Sequence, residues 1–346
     1  MNPNSTLLVF NFVMDRNDPL LSHQYEAINS LAAYFDKIVV VTGKIGDVQP
    51  SSKVQILSTE WRPGDGLGNL RRFFSISLPI IARGNFNSVF FHMTDLQCAL
   101  LAPIIRLRGR RQYLWYAHTF KSRYLVFASW WVNNIITSTS GSCPISSSKV
   151  KPIGQAIDEN IFAALPFEKL VFSKLIHIGR FDKSKNIQLL IESARELRKK
   201  YSDIQLTLVG SPANTESRDW ARGLMRDTES EVQNGWLIFK ESIPRELFRK
   251  EVSQNGCFFH GYVGSLDKTL VESTMLRVPV VTINPEYIAI FGTWGNSNGA
   301  SLVSEFMTLK SMSEVKIEAE LERRLTIARS EHTLAHWVNE LSSLLQ

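Results

Sequence analysis

A chain of 346 residues, 44% of them apolar and 21% charged, has room for two ordinary domains, each with its own core. Its longest apolar runs, 96–105 and 124–132, reach only about half of the ~20 residues that a membrane-spanning helix needs. The segment from Met1 to Ser5 lacks the basic and apolar regions of an export signal, and the three scattered cysteines (Cys98, Cys143, Cys257) have no ligand spacing. The expectation is a reducing, cytoplasmic setting with no disulfide framework and no metal site.

The net charge of +6 is unevenly spread. Residues 1–150 hold fifteen Lys and Arg against eight Asp and Glu, a balance of +7, and residues 151–346 hold twenty-four against twenty-five, a balance of −1. The excess is concentrated in residues 61–123 (Arg62, Arg71, Arg72, Arg83, Arg106, Arg108, Arg110, Arg111, Lys121 and Arg123 against Asp65 and Asp95). Such a surface is either a solvated basic face or a contact for an anionic membrane or a polyanionic acceptor. No zinc-finger, homeodomain or RNA-binding signature accompanies it, so nucleic acid is not expected as a partner.

In chain order the pattern predicts strand Leu7–Val13, a polar loop Asp15–Pro19, and a helix from Ser22 with Tyr25, Ile28, Leu31 and Phe35 on one face. Strands Lys37–Thr42 and Val54–Leu57 follow, then a helix over Leu70–Ala82, interrupted at Pro79. Strand Ser88–Phe91, helix Asp95–Leu107, strand Gln112–Ala117, helix Lys121–Val132 and strands Asn134–Ser138 and Val150–Gly154 complete a first series. Ala156–Glu168 has no period and reads as a linker. The second series gives strand Leu175–Gly179, helix Asn186–Lys200, strand Gln205–Val209, helix Thr215–Val232, strand Trp236–Phe239 and helix Pro244–Val252. Strand Cys257–Phe259, a glycine loop, a short helix after Asp267 and strand Pro279–Ile283 come next, and the tail is amphipathic and helical from about Val315. Strands alternating with helices at this spacing predict two doubly wound Rossmann-like α/β domains facing a cleft, over residues 1–160 and 165–325, with residues 326–346 packing back towards the first.

Two loops carry the chemistry. Gly179–Asn186 follows a strand and opens a helix, and its Arg180 and Lys185 can converge on one anion, the arginine as a planar fork and the lysine as a point charge. The glycine loop 261–267 leads into a helix whose free N–H groups and partial positive charge also suit an anion. Glu272 lies about one turn inside that helix. Gly64, Gly66 and Gly68 do not follow the first strand of a βαβ unit, and no phosphate-loop motif is present.

The order of these motifs resembles glycosyltransferase family 4, retaining enzymes of the GT-B fold (glycosyl transferases group 1 type). Ile178-Gly179-Arg180 with Lys185, Leu208-Val209-Gly210-Ser211, and the loop, helix and Pro-Val-Val strand of Gly264–Val281 match its C-terminal domain. Trp115-Tyr116-Ala117-His118, and the stretch Ile153–Asp158 with Phe162, match its N-terminal half more loosely. The resemblance implies that Arg180 and Lys185 hold the diphosphate of a nucleotide-sugar donor and stabilise the leaving nucleotide. The N–H groups of Lys268, Thr269 and Leu270 would share the phosphate, and Glu272 would accept from the ribose hydroxyls. Ser211 and Ile243, in the Ser242-Ile243-Pro244 turn, would line the base and ribose pocket, and His118 would contact the transferred sugar. It further implies attack by an acceptor hydroxyl from the face the phosphate leaves, with no side-chain nucleophile. No cofactor beyond the donor substrate and no metal is implied, in keeping with the absence of Asp-x-Asp.

The sequence departs from the family at two places. The acid eight residues before Glu272 is replaced by Gly264, so the identity of the sugar is not carried over; Asp267 reads as a helix cap. The loop after the first strand lacks paired glycines and offers Asp15, Arg16 and His23 as acceptor-side candidates. The expected function is transfer of a sugar from a nucleotide-diphosphate donor to a glycan or lipid-linked acceptor in surface-polysaccharide assembly, with peripheral contact at the inner face of the plasma membrane. A nucleotide-sugar epimerase of the same fold and a catalytically silent nucleotide-sugar-binding partner remain as alternatives.

Overall fold

The computed structural model describes residues 5–18, 21–167, 170–254 and 256–346. Pro19 and Glu168, which the sequence reading places at the ends of a loop and of a linker, lie outside them. The chain divides into two compact units, residues 1–156 with 334–346, and residues 157–333.

The first unit runs β1 (Thr6–Met14), α1 (Ser22–Leu31), β2 (Lys37–Ile45), β3 (Val54–Ser58), α2 (Gly66–Arg83), β4 (Ser88–His92), α3 (Asp95–Leu107), β5 (Arg111–Trp115), α4 (Arg123–Trp131), β6 (Asn134–Thr137) and β7 (Val150–Pro152). The strands form one parallel sheet in the order β3-β2-β1-β4-β5-β6-β7. Because strand side chains alternate, Leu7 and Val9 pack on one face with α1, and Leu8 and Phe10 on the other with α2, α3 and α4. Gly64, Gly66 and Gly68 are the entry to α2, whose first turn is capped by the Asp65 carboxylate accepting from Gly68 N at 3.1 Å. The helix therefore begins at Gly66, not Leu70. It also runs on through Pro79, whose ring is on the exposed side.

The second unit runs β8 (Lys174–Ile178), α5 (Ile187–Arg198), β9 (Gln205–Val209), α6 (Thr215–Asp227), α7 (Glu229–Gln233), β10 (Leu237–Lys240), α8 (Arg245–Ser253), β11 (Cys257–His260), α9 (Lys268–Met275), β12 (Val280–Thr282), α10 (Pro285–Phe291), α11 (Leu302–Ser311) and α12 (Glu314–Glu331). Its parallel sheet has the order β10-β9-β8-β11-β12. α5, α6 and α11 cover one face and α8, α9 and α10 the other, while α12 joins the two, with Ile317 and Leu321 in the first cluster and Ala328 in the second. The single helix expected over 215–232 is two, divided at Thr228, whose hydroxyl donates back to Leu224 O at 2.8 Å. α10 and α11 are additional to the sequence expectation.

The last helix, α13 (Leu334–Leu345), belongs to the first unit. It buries Trp337, Val338, Leu341 and Leu345 against the sheet, with the Trp337 ring 5.3 Å from that of Trp115 and 6.3 Å from that of Phe90. The sequence reading breaks the chain between 160 and 165 and again at 326. The structure puts the second unit's two ends at one bridge, Ile157 beside Thr333, with Ile157 N donating to His332 O at 3.0 Å. Residues 157–160 and all of α12 thus stay with the second unit.

In each sheet the winding reverses once, between β1 and β4 and between β8 and β11. A crevice opens at the carboxyl ends of the strands at such a reversal, which is where α/β proteins bind ligands.

Candidate active site

In the second unit the reversal brings together the loop after β8 and the loop after β11. Close passage of backbone needs glycine here: a Cβ on Gly210, after β9, would lie 1.9 Å from Gly179 O. Asn186, in the left-handed conformation that asparagine tolerates, donates its side-chain amide to Gly261 O at 2.8 Å and ties the two loops.

Lys185 and the start of α9 meet across this junction, although 82 residues apart. The Lys185 ammonium is paired with the Asp267 carboxylate and lies 4.2 Å from the centre of the Tyr262 ring. Asp267 is also the N-cap of α9 and accepts from His260 Nε2 at 3.2 Å. Burial would raise the Asp267 pKa, but Lys185 and His260 outweigh it and hold the carboxyl well below its usual range. Asp267 is thus both the expected cap and the counter-ion of Lys185.

Arg180 is exposed in the same loop, with Nε 3.7 Å from Asp182 Oδ2. Ser211 and Ser242 join the loops after β9 and β10 by a 3.1 Å hydroxyl contact, and the Ser211 oxygen accepts from Ser242 N at 3.1 Å. Ile243 is half-buried against the core. Lys268, Thr269 and Leu270 form the first turn of α9, where Leu270 N donates to Asp267 O at 3.2 Å and Thr269 N to the Asp267 carboxylate at 3.5 Å.

Glu272 is 2% exposed and paired with Arg245, the first residue of α8. Burial raises the Glu272 pKa, and Arg245 is the strongest influence pulling it back. Arg245 is a residue the sequence reading missed. Its place three residues after Ser242 put it near the site, but nothing local says which of the several charges there points at Glu272.

The Gly264 departure has a steric reason. A Cβ at Gly264 would meet the Tyr262 hydroxyl at 1.9 Å and the ring at 2.1 Å. The tyrosine, lodged against Lys185, takes the space in which an acidic side chain at 264 would begin.

In the first unit, His118 follows β5 and is exposed, its Nδ1 accepting from Phe120 N at 2.8 Å. Asp15 and Arg16 tie the loop after β1 to the loop after β2: Asp15 Oδ1 accepts from Asp47 N at 3.2 Å, and Arg16 Nε contacts Asp47 Oδ2 at 2.7 Å. His23 stands 5.9 Å from His92, at the reversal of that sheet. Much of the basic stretch is used internally. Arg108 donates to Ala82 O at 2.7 Å and Arg110 to Gly84 O at 2.9 Å, closing the carboxyl end of α2, while Arg72 pairs with Asp65 at 3.0 Å. The same helical layer leaves Leu67, Leu107 and Trp130 largely exposed. Among the described residues no helix is long and apolar enough to cross a membrane, and no group of His, Cys, Asp and Glu is placed to hold a metal ion.

Two units, each a parallel doubly wound α/β sheet that reverses once, give the chain the GT-B fold. Solved structures share the arrangement. HepE of Anabaena, in complex with UDP and glucose, matches with a TM-score of 0.72 at 13% identity over 98% of both chains. The sucrose-phosphate synthase of Thermosynechococcus elongatus matches at 0.75 and 11% over 98% of both, and a glycosyltransferase of Rickettsia africae at 0.72 and 8% over 99% of this chain and 98% of that one. A comparison with curated protein sequences gives no match. Residues 166–290 match the family described as Glycosyl transferases group 1, so the second unit carries the domain of that group.

Proposed function

We propose that the protein is a retaining glycosyltransferase of the family 4 kind, which moves a sugar from a nucleotide-diphosphate donor held by the second unit to a hydroxyl of an acceptor held by the first. The observation that carries this reading is the meeting of Lys185 with the start of α9 at the sheet reversal, with Glu272 one turn further in. A cation and a helix N-terminus facing one point suit a diphosphate, and a buried acid beside them suits a diol.

Mechanistically, Lys185, Arg180 and the N–H groups of Lys268, Thr269 and Leu270 neutralise the charge that develops on the departing phosphate. Asp267 occupies Lys185 in the free protein, so donor binding shares or displaces that contact. Ser211 and Ile243 border the nucleoside. His118 orients the transferred sugar, and Asp15, Arg16 and His23 lie on the acceptor side. The acceptor hydroxyl attacks from the face the phosphate leaves, and the phosphate takes its proton. This scheme needs no metal and no cofactor.

The basic first unit, with Leu67, Leu107 and Trp130 exposed beside it, supports a lipid-linked or polyanionic glycan acceptor at the inner face of the plasma membrane. Surface-polysaccharide assembly in the cytoplasm is the setting this fits.

The test is calorimetry or thermal shift against UDP-, GDP-, dTDP- and ADP-sugars, followed by transfer to an acceptor and determination of the product anomer by NMR. UDP-glucose comes first, because HepE has been seen with it. Inversion would refute retention, epimerised sugar released without acceptor would mark an epimerase, and binding without transfer or hydrolysis would mark a silent binding partner. No nucleotide binding at all would refute the whole reading.

A further inference from the structure

The Arg245–Glu272 pair is placed oddly for a structural ion pair. Arg245 opens α8, where the helix dipole disfavours a cation, and its N-cap Pro244 supplies no side-chain bond. Its guanidinium lies 5.1 Å from the centre of the Phe162 ring, which itself packs edge-on to Phe248 of α8 at 5.6 Å. Arg245 Nε is buried and has no hydrogen-bond partner among the described residues. The side chain is therefore held by an aromatic face and by one carboxylate oxygen, Glu272 Oε1.

A carboxylate as buried as Glu272 is driven towards its neutral form, and the charges that bear on it are Arg245 from α8 and Lys268 and Asp267 from the start of its own helix. Ionised, it offers acceptor sites on both oxygens; protonated, it gives up part of that capacity and turns one oxygen into a donor. With Oε1 taken by the guanidinium, Oε2 is the oxygen left for a ligand.

We propose that Arg245 is a positioning residue for donor binding: it keeps Glu272 ionised and turned so that Oε2 accepts from the ribose diol of a nucleoside diphosphate. The inference rests on the nucleotide-donor reading of this site. It gives the pair a task that neither residue performs alone. Arg245 anchors and charges the acid, and the acid reads the sugar of the nucleotide.

The experiment is the affinity ratio of UDP to 2′,3′-dideoxy-UDP, with the ADP and GDP pairs alongside, measured by calorimetry from pH 5.5 to 8.5 on the full chain and its Arg245→Met and Arg245→Lys variants. The parent chain should favour the ribose form by about tenfold or more, as expected of hydrogen bonds to a charged acceptor. In Arg245→Met the ratio should fall towards one at the acid end and recover as rising pH ionises Glu272. Arg245→Lys, which keeps a positive charge beside Glu272, should retain most of the ratio. A ratio unchanged in Arg245→Met at every pH would overturn the inference and leave nucleotide binding intact. Tighter binding by Arg245→Met would overturn it in favour of Arg245 as a competitor for the ribose. A parent chain that binds no nucleoside diphosphate would remove the nucleotide reading and this inference together.

Discussion

Replacing Lys185 by methionine separates the two roles assigned to it. The side chain is nearly as long and keeps contact with the Tyr262 ring, but it leaves the Asp267 carboxylate buried with the His260 imidazole, whose pKa burial lowers, in place of an ammonium. Removing one member of a buried pair costs about 3–5 kcal/mol. For a unit of this size that is a fall in Tm of roughly 6–20 °C, at about 2–4 °C per kcal/mol. Loss of one charge-assisted contact to a diphosphate weakens binding by about 1.5–3 kcal/mol, or roughly 10–150-fold in Kd. The double variant Lys185→Met, Asp267→Asn removes both charges while asparagine still caps α9. Its stability should return to within about 1–2 kcal/mol of the parent, since neutral replacement of a buried pair is often tolerated, but its affinity should not return. Urea denaturation gives the first quantity and calorimetric titration with UDP the second. If the double variant regains nucleotide affinity with its stability, the single variant lost binding through folding alone and Lys185 is no phosphate ligand.

Acid should destabilise the second unit through His177. Its Nδ1 lies 2.9 Å from Phe259 O, its Nε2 has no partner among the described residues, and burial, with the His260 ring 5.8 Å away, lowers its pKa to about 3. The unfolded imidazole takes its proton near pH 6.5 and the folded one does not, so stability is complete above about 6.5 and is lost as pH falls towards 3, by up to about 4–5 kcal/mol. Melting curves at stepped pH should show this slope, and a His177→Gln variant with the same slope would refute it. Gly264→Glu, which restores the family's acid, should cost about 1–3 kcal/mol by overpacking, and Tyr262→Ala should relieve it; an undiminished Tm in the single variant would show that the phenol moves freely. If the first unit contacts an anionic membrane as proposed, Leu67→Ser with Trp130→Ser, or Arg83→Glu with Arg106→Glu, should reduce co-sedimentation with phosphatidylglycerol vesicles. Sedimentation unaffected by either pair would leave the basic stretch a solvated face. Arg108 and Arg110 are poor choices for that test because they close the end of α2.

The sheets were legible in the sequence because their strands are short apolar runs set between glycine and polar loops, and α3 because Asp95 opens a clean apolar period. α10 was missed although Asn284 followed by Pro285 is an N-cap and first-turn signal, and the Asn284 side chain does accept from Tyr287 N at 2.9 Å. Arg180, Lys185 and the glycine loop before α9 were legible as chemistry-bearing loop positions. Their partners were not. Lys185 finds Asp267 and Arg245 finds Glu272 only through the return of the chain across the sheet, and no local pattern records a pairing at that range. Gly264 was visible as a departure, but its cause is Tyr262 two residues earlier, turned back by the loop geometry.

The bridge between Ile157 and Thr333 also dictates an order of manufacture. A ribosome that has released β1 to β7 has not yet made α13, and the face meant for Trp337, Val338 and Leu341 stays uncovered while the whole second unit is synthesised. The first half of the gene therefore encodes an unfinished layer. A fragment ending at 156 should be sticky and short-lived in a cell, and supplying residues 334–346 as a separate peptide should rescue it, whereas the segment 157–333 has its own core on both faces of its sheet and needs no such help.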